Sequence, residues 1–199
     1  MIHEPNTPDR IADLLVHVSR AAQSEDARSG LTAAQWTCLR FFARANGTTR
    51  TPSAFASFQA TTRGTASQII KSLERRGLVV RTRSDRDRRS VSFDLTGEGR
   101  RTMAQDPLRD LVRLIDGLGE AEGGRFLTTL SRLSSALAER RAVPAFGTCS
   151  DCNHFGTSGS AAHCACMAAD LAADEIHKLC VSYTPAQGAT SQGARDGTA

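Results

Sequence analysis

Long apolar runs are missing from this chain: none approaches the ~18 residues that a membrane-spanning helix needs. The N-terminus, Met1-Ile2-His3-Glu4-Pro5, lacks a basic segment followed by an apolar one, so no secretion signal is expected. Aromatic residues are scarce, with one Trp, one Tyr and eight Phe. Cysteine is nearly absent from the first 148 residues, where Cys38 stands alone. The expectation is a cytoplasmic protein with no membrane partner. In that compartment thiols stay reduced, and clustered cysteines more often hold metal than form structural disulfides.

A large net charge is also lacking, at +4, but the charge is unevenly placed. Residues 71–101 hold ten Lys/Arg against five Asp/Glu, whereas residues 149–199 hold two against five. A basic middle followed by an acidic end suits a polyanionic partner for the middle alone.

The periodicity is that of short helices. Thr7-Pro8-Asp9 reads as a helix start with Thr as cap, followed by Ile11, Leu14, Leu15, Val18 and Ala22 at helical spacing. Thr32 and Gln35 make a capping box for a second helix carrying Trp36, Leu39 and Ala43. Thr51-Pro52 opens a short third helix. A fourth is expected over 62–76 and stops at Gly77. Leu78–Thr82 and Ser90–Leu95 are β-like and flank a charged hairpin tip. Thr96 caps the next helix, which either kinks at Pro107 or restarts there with Asp106 as cap. A long helix over 122–141 carries Phe126, Leu130, Leu133 and Leu137.

On the fourth helix Ala66, Ile69, Ile70 and Leu73 share one face. Gly64, Ser67, Gln68, Lys71 and Arg75 lie opposite, with Thr65 at the rim and Arg63 in the first turn. Small hydrogen-bonding groups near the start and cations toward the end form a surface suited to a DNA major groove. Gln68 suits base edges. Thr61, Thr62 and Thr65 suit phosphate, beside the free N–H groups of the helix start. Gly64 permits close backbone approach. Arg86, Arg88 and Arg89 on the hairpin suit a minor groove. Each feature alone equally describes a solvated helix face and a charged turn. It is their order that points to double-stranded DNA.

Leu31-Thr32-Ala33-Ala34-Gln35-Trp36, Thr51-Pro52-Ser53, Thr62-Arg63-Gly64-Thr65-Ala66-Ser67-Gln68, Leu73-Glu74-Arg75-Arg76-Gly77-Leu78-Val79 and the stretch Asp87 to Thr96 resemble the MarR family of winged-helix transcription regulators. The resemblance covers about residues 8–141. It implies a mainly α fold with a small β wing: a winged helix-turn-helix flanked by dimerisation helices, over residues 8–143. It further implies a homodimer reading two half-sites about one DNA turn apart. A small-molecule effector cleft between dimer helices and reading lobe is also implied, with His17, Trp36 and Arg40 as neighbours.

Beyond this core the chain continues into C-x2-C-x11-C-x-C-x13-C, formed by Cys149, Cys152, Cys164, Cys166 and Cys180. A Cys-x2-Cys turn brings two thiolates together in advance. The layout resembles a Cys-rich C-terminal extension carried by a bacterial subset of the family. That resemblance implies Cys149, Cys152, Cys164 and Cys180 as ligands, with Cys166 spare. Spacing leaves Cys166 in place of Cys164 open. An iron–sulfur cluster is the preferred occupant. Zinc is the alternative, with His154, His163 or His177 able to replace one thiolate. Metal-free thiol sensing is the third. The expectation is a metal-dependent minidomain over 146–183 with a helix over 170–179, then a disordered tail over 185–199. Cys38 reads as a buried structural thiol.

No nucleophile–base pair or phosphate loop is visible, so no catalytic residue is assigned. A thiol redox enzyme using Cys149 and Cys152 is the rival of another class, but that pair does not open a helix after a strand. A non-specific architectural DNA-binding protein is the third reading, and Gln68 argues against it.

Overall fold

The structure is a computed structural model that describes residues 6–23, 29–83, 91–158 and 161–186. Its first helix, α1 (Thr7–Ala22), is capped by Asn6 rather than Thr7, through a reciprocal capping box with Asp9. The asparagine side chain accepts the Asp9 N–H, leaving Thr7 as the first helical residue. Helix α2 (Ala33–Arg44) has the expected Thr32–Gln35 box, and α3 (Pro52–Phe58) starts from a Thr51 cap. Helix α4 (Arg63–Arg75) starts from Thr62 and stops before Gly77, whose φ of 68° lies in the left-handed region that glycine adopts freely.

Strands β1 (Val79–Arg83) and β2 (Val91–Leu95) pair antiparallel, from Val79 opposite Leu95 to Arg83 opposite Val91. Arg50 joins their edge, its carbonyl accepting the Phe93 N–H at 2.9 Å. Thr96 caps α5 (Gly97–Met103), which lies so close to β1 that a Cβ on Gly99 would collide with the Leu78 carbonyl.

The core belongs to this lobe. Trp36, Leu39, Phe41, Phe42, Phe55, Ile70 and Leu73 are essentially excluded from water, with Val79, Phe93 and Leu95 from the wing closing over them. Phe41 sits 5.5 Å from both Phe42 and Phe55, and Phe42 5.7 Å from Phe93. Each such side chain stabilises the lobe by about 1.5–3 kcal/mol. Six of the eight phenylalanines, Phe41, Phe42, Phe55, Phe58, Phe93 and Phe146, thus compensate for scarce Trp and Tyr by joining through ring contacts.

After Pro107 the chain restarts as α6 (Leu108–Asp116) and then α7 (Glu120–Arg140). Of the two sequence alternatives the restart is the one observed. Asp106 accepts the Leu108 N–H at 2.9 Å and also takes the Arg40 guanidinium through Nε and Nη2. One buried carboxylate therefore fixes the middle of α2 and the start of α6 together. Helix α1 touches α6, and α6 touches α7, yet α1 and α6 bury no residue of their own. Leu14, Leu114 and Leu127 are 58%, 73% and 66% exposed.

The extension is β-structured. Strand β3 (Gly147–Thr148) pairs with β7 (Leu179–Cys180), and β4 (Phe155–Ser158), β5 (Ala161–Cys164) and β6 (Ala169–Leu171) form a three-stranded antiparallel sheet. The helix expected over 170–179 is corrected: β6 is followed by a single 3-10 turn, Ala173–Glu175, and then β7. Two residues of the expected tail are held in place, and residues 187–199 lie outside the described residues. Pro185 bridges to Cys152, and the Ala186 N–H reaches the Asp151 carbonyl at 3.2 Å.

Candidate nucleic-acid interface and cysteine cluster

Helix α4 presents two chemically distinct faces. Ala66, Ile70 and Leu73 are buried and Ile69 packs against the same core. Arg63, Gly64, Thr65, Gln68, Lys71 and Arg75 are exposed, and Ser67 is half-buried. A packed inner face makes the helix rigid, and the outer face keeps uncommitted donors and cations in water. Thr62 also caps the helix, its Oγ1 accepting the Thr65 N–H at 3.1 Å. The Thr62 and Thr65 hydroxyls lie 2.9 Å apart. Only one of their two protons can serve that contact, so the other remains available to a phosphate oxygen. Thr61, half-buried, has its N–H bonded to the Ala56 carbonyl. A Cβ at Gly64 would meet nothing closer than Thr62 Oγ1 at 3.7 Å, so the lobe itself does not demand glycine there. By contrast Arg76, next along, is spent internally on the Gly30 and Ser29 carbonyls. Arg86, Arg88 and Arg89 lie outside the described residues.

The expected effector residues have other uses in this chain. Trp36 is fully buried, and Arg40, 5.8 Å above its ring, is committed to Asp106. His17 is exposed on α1. Trp36 and Arg40 thus serve packing and an ion pair within the chain. Sequence could not show this, because the partner of Arg40 lies 66 residues away. A cavity of about 640 Å³ opens elsewhere, between α7 and the extension. Leu127, Leu130, Phe146 and Tyr183 supply its apolar walls, with Ser131 and Asp151 among its polar groups.

The thiols of the extension gather around Cys149. Cys149 follows β3 and opens a 3-10 turn, Cys149–Asp151, closed by the Cys152 N–H on the Cys149 carbonyl at 3.1 Å. Cys180 ends β7, opposite Gly147, and Cys164 ends β5, opposite Phe155. Cys149, Cys164 and Cys180 are buried and Cys152 is half-buried, whereas Cys166 is exposed. The Cys149 thiol is pushed up to about 11, first by burial and then by Cys180, Cys164, Cys152 and Glu175. Those neighbours act on it as charges, so each lies within electrostatic reach of Cys149. Among the described residues, however, no group of three or more Cys, His, Asp or Glu is arranged to hold a metal ion as it stands. The two observations agree once their ranges are compared. Charge interaction extends over many ångströms, whereas a zinc–sulfur bond is about 2.3 Å. Four thiols are the right donor type for a tetrahedral thiolate centre, but as placed they do not form a ligand set. Two of the three histidines of the extension are otherwise engaged: His154 Nε2 with Thr184 Oγ1 at 3.1 Å, and His163 Nδ1 with Asp170 at 3.0 Å across β5 and β6. His177 is exposed. Burial likewise raises the thiol of Cys38, which belongs to the lobe core.

Residues that sequence reasoning passed over join extension to lobe. Asn46 and Thr49, both buried, take part in bonds to Leu179 and Val181. Glu175 accepts the Gly47 N–H at 3.0 Å. No local pattern announces such contacts.

Residues 29–90 match the MarR family model. A comparison with curated proteins finds no match. Among solved structures, the S. aureus MepR–DNA complex is similar at 19% identity over 68% of this chain and 99% of its own, with a TM-score of 0.52. BldR from Sulfolobus solfataricus is similar at 22% identity over 65% of this chain and 92% of its own, with a TM-score of 0.51. A MarR transcriptional regulator from Methanosarcina mazei Go1 is similar at 17% identity over 66% of this chain and 96% of its own, with a TM-score of 0.52. Each match takes in nearly the whole of the other chain and leaves the remainder of this one without a counterpart. At these identities the likeness is one of fold: this chain carries the winged helix-turn-helix that those structures share, and within it residues 29–90 match the MarR family.

Proposed function

We propose that the protein is a sequence-reading DNA-binding transcriptional regulator of the MarR type, acting as a homodimer whose hold on DNA depends on a thiolate centre. The observation that carries the reading is α4, a helix locked by one face and offering Gln68, Lys71 and Arg75 from the other. A second support is that the same fold in the MepR structure is bound to DNA. The apolar residues left exposed on α1, α6 and α7 favour dimerisation, because isolated chains rarely leave such stripes uncovered. Specific binding is tested by fluorescence anisotropy at fixed salt. A selected duplex should bind at least ~10³-fold more tightly than random sequence. A ratio near one would favour the architectural reading instead.

Cys149, Cys152, Cys164 and Cys180 would hold the centre. Four thiolates suit an iron–sulfur cluster, which supplies one-electron redox chemistry when bound, or a zinc ion, which supplies none. Protein prepared without oxygen separates the two. Iron and sulfide with absorption near ~400 nm mean a cluster, and a colourless protein with zinc means a structural ion. The second reading is therefore a zinc-stapled regulator with a small-molecule effector. The cavity beside α7 favours it, since about 640 Å³ falls in the usual range for small ligands, roughly 300–1,000 Å³.

A further inference from the structure

The extension is fastened to the lobe at a second place, distant in sequence from its covalent join. Ala45 bridges to Leu179, and the Asn46 N–H reaches the Leu179 carbonyl at 2.9 Å. Two residues on, the Val181 N–H reaches Thr49 Oγ1 at 2.9 Å. Cys180 lies between these bonds with its side chain buried. The same corner continues into the wing: the Arg50 carbonyl takes the Phe93 N–H, and the Arg50 guanidinium lies 3.2 Å from Asp94. A second contact reaches α3. Phe146, which leads into β3, stands edge-on to Phe58 at 5.2 Å and to Phe41 at 6.3 Å. Phe58 ends α3, which packs on α4.

We propose that Leu179–Val181 is a latch through which the thiol cluster sets the α2–α3 corner, and through that corner the wing and the recognition helix of its own protomer. The proposal rests on the reading of the four thiols as a binding centre. Its physical basis is constraint. A sulfur drawn toward an ion must move with its main chain, and the main chain on both sides of Cys180 is bonded to residues 45–49. Asn46 and Thr49 are buried, so a released latch leaves polar groups that must find water. The route runs within one chain and does not pass through α1, α6 or α7.

Hydrogen exchange of the full chain tests it, comparing protein loaded with one equivalent of Zn²⁺ with the same protein reduced and chelated. Exchange at the Asn46 and Val181 amides should rise at least tenfold on chelation. Thr49→Val, which removes the acceptor, should show fast Val181 exchange already when loaded and little further change, with zinc content unaltered. Phe146→Ala gives an independent check by loosening peptides of α3 in the loaded state. DNA affinity is read on the same samples. Faster exchange with altered affinity supports both latch and regulation. Faster exchange with unaltered affinity keeps the latch and removes regulation by the thiol centre. Unchanged Asn46 exchange in protein that has lost its zinc overturns the latch, whatever the affinity does. Failure to bind zinc at all, with no iron in protein prepared without oxygen, overturns the centre and the latch with it.

Discussion

The reading lobe and the extension are stabilised by different means. The lobe is built around phenylalanines and aliphatic side chains from α2, α3, α4 and the wing, with Trp36, Phe42 and Phe55 excluded from water. In the extension the buried apolar groups are three thiols, and what orders it is short strands and hydrogen bonds to its neighbour. One region carries its own driving force. The other buries little apolar area of its own and is ordered by what it is attached to.

The largest test of that contrast is Phe55→Ala. It should destabilise the lobe by about 3–5 kcal/mol, as large cavities in packed cores do, read from the urea midpoint. A loss under ~1 kcal/mol would show that the aromatic cluster is not where the stability lies. Arg40→Ala comes next. It leaves the Asp106 carboxylate buried without its partner, and such a break costs roughly 3 kcal/mol or more. Restored stability in the double variant Arg40→Met, Asp106→Leu would identify the orphaned charge as the cause. Gln68→Ala addresses the reading face. It should leave folding intact and reduce base discrimination by ~1–3 kcal/mol at one position, while Lys71→Ala weakens all duplexes alike and lowers the salt slope by about 0.9.

Cys180→Ser should separate the two regions directly. Limited proteolysis should speed up within residues 147–181, while the lobe loses no more than about 1 kcal/mol, the net worth of one hydrogen bond. Equal losses in both would merge them into a single cooperative unit. The smallest effect concerns Asp174 and Lys178. The Lys178 hydrogen bond and charge hold Asp174 below its usual carboxylate value, and Asp174, then Glu175, hold Lys178 above its own. The Asp174 contribution is present above its ordinary value and fades as pH falls through the lowered one. The Lys178 contribution is present below its ordinary value and fades as pH rises through the raised one. Both are whole at neutral pH. Lys178→Met should therefore make exchange in residues 173–180 slightly faster there, and added salt should erase the difference. A difference that survives high salt would point to packing of the lysine stem instead.

Legibility in the sequence followed the same divide. Thr32 with Gln35, Thr51-Pro52 and Thr62 announce their helices because a cap is a local device with few residue choices. The inner face of α4 could be read from Ala66, Ile69, Ile70 and Leu73 because helical periodicity is equally local. Residues 170–179 misled because Leu, Ala, Glu and Lys favour helix on their own account. Here Leu179 is instead held as a strand by Gly147–Thr148 and by Ala45, far away in the chain. The ion pair of Arg40 was illegible for the same reason: its carboxylate, Asp106, lies beyond the reach of any pattern. Resemblance singled out Cys149, Cys152, Cys164 and Cys180, while spacing left Cys166 open in place of Cys164. The attachment of that group to Asn46 and Thr49 was not legible.

The carboxylate of Asp106 has one more consequence. It is the pivot on which α6 leaves the lobe, and a nine-residue helix is a pointer. At 1.5 Å of rise per residue, a swing of about 10° at that pivot carries the far tip roughly 2 Å sideways. In any assembly gripped by its arms, a change too slight to notice beside Arg40 would appear at the other end as a different gauge between two reading heads.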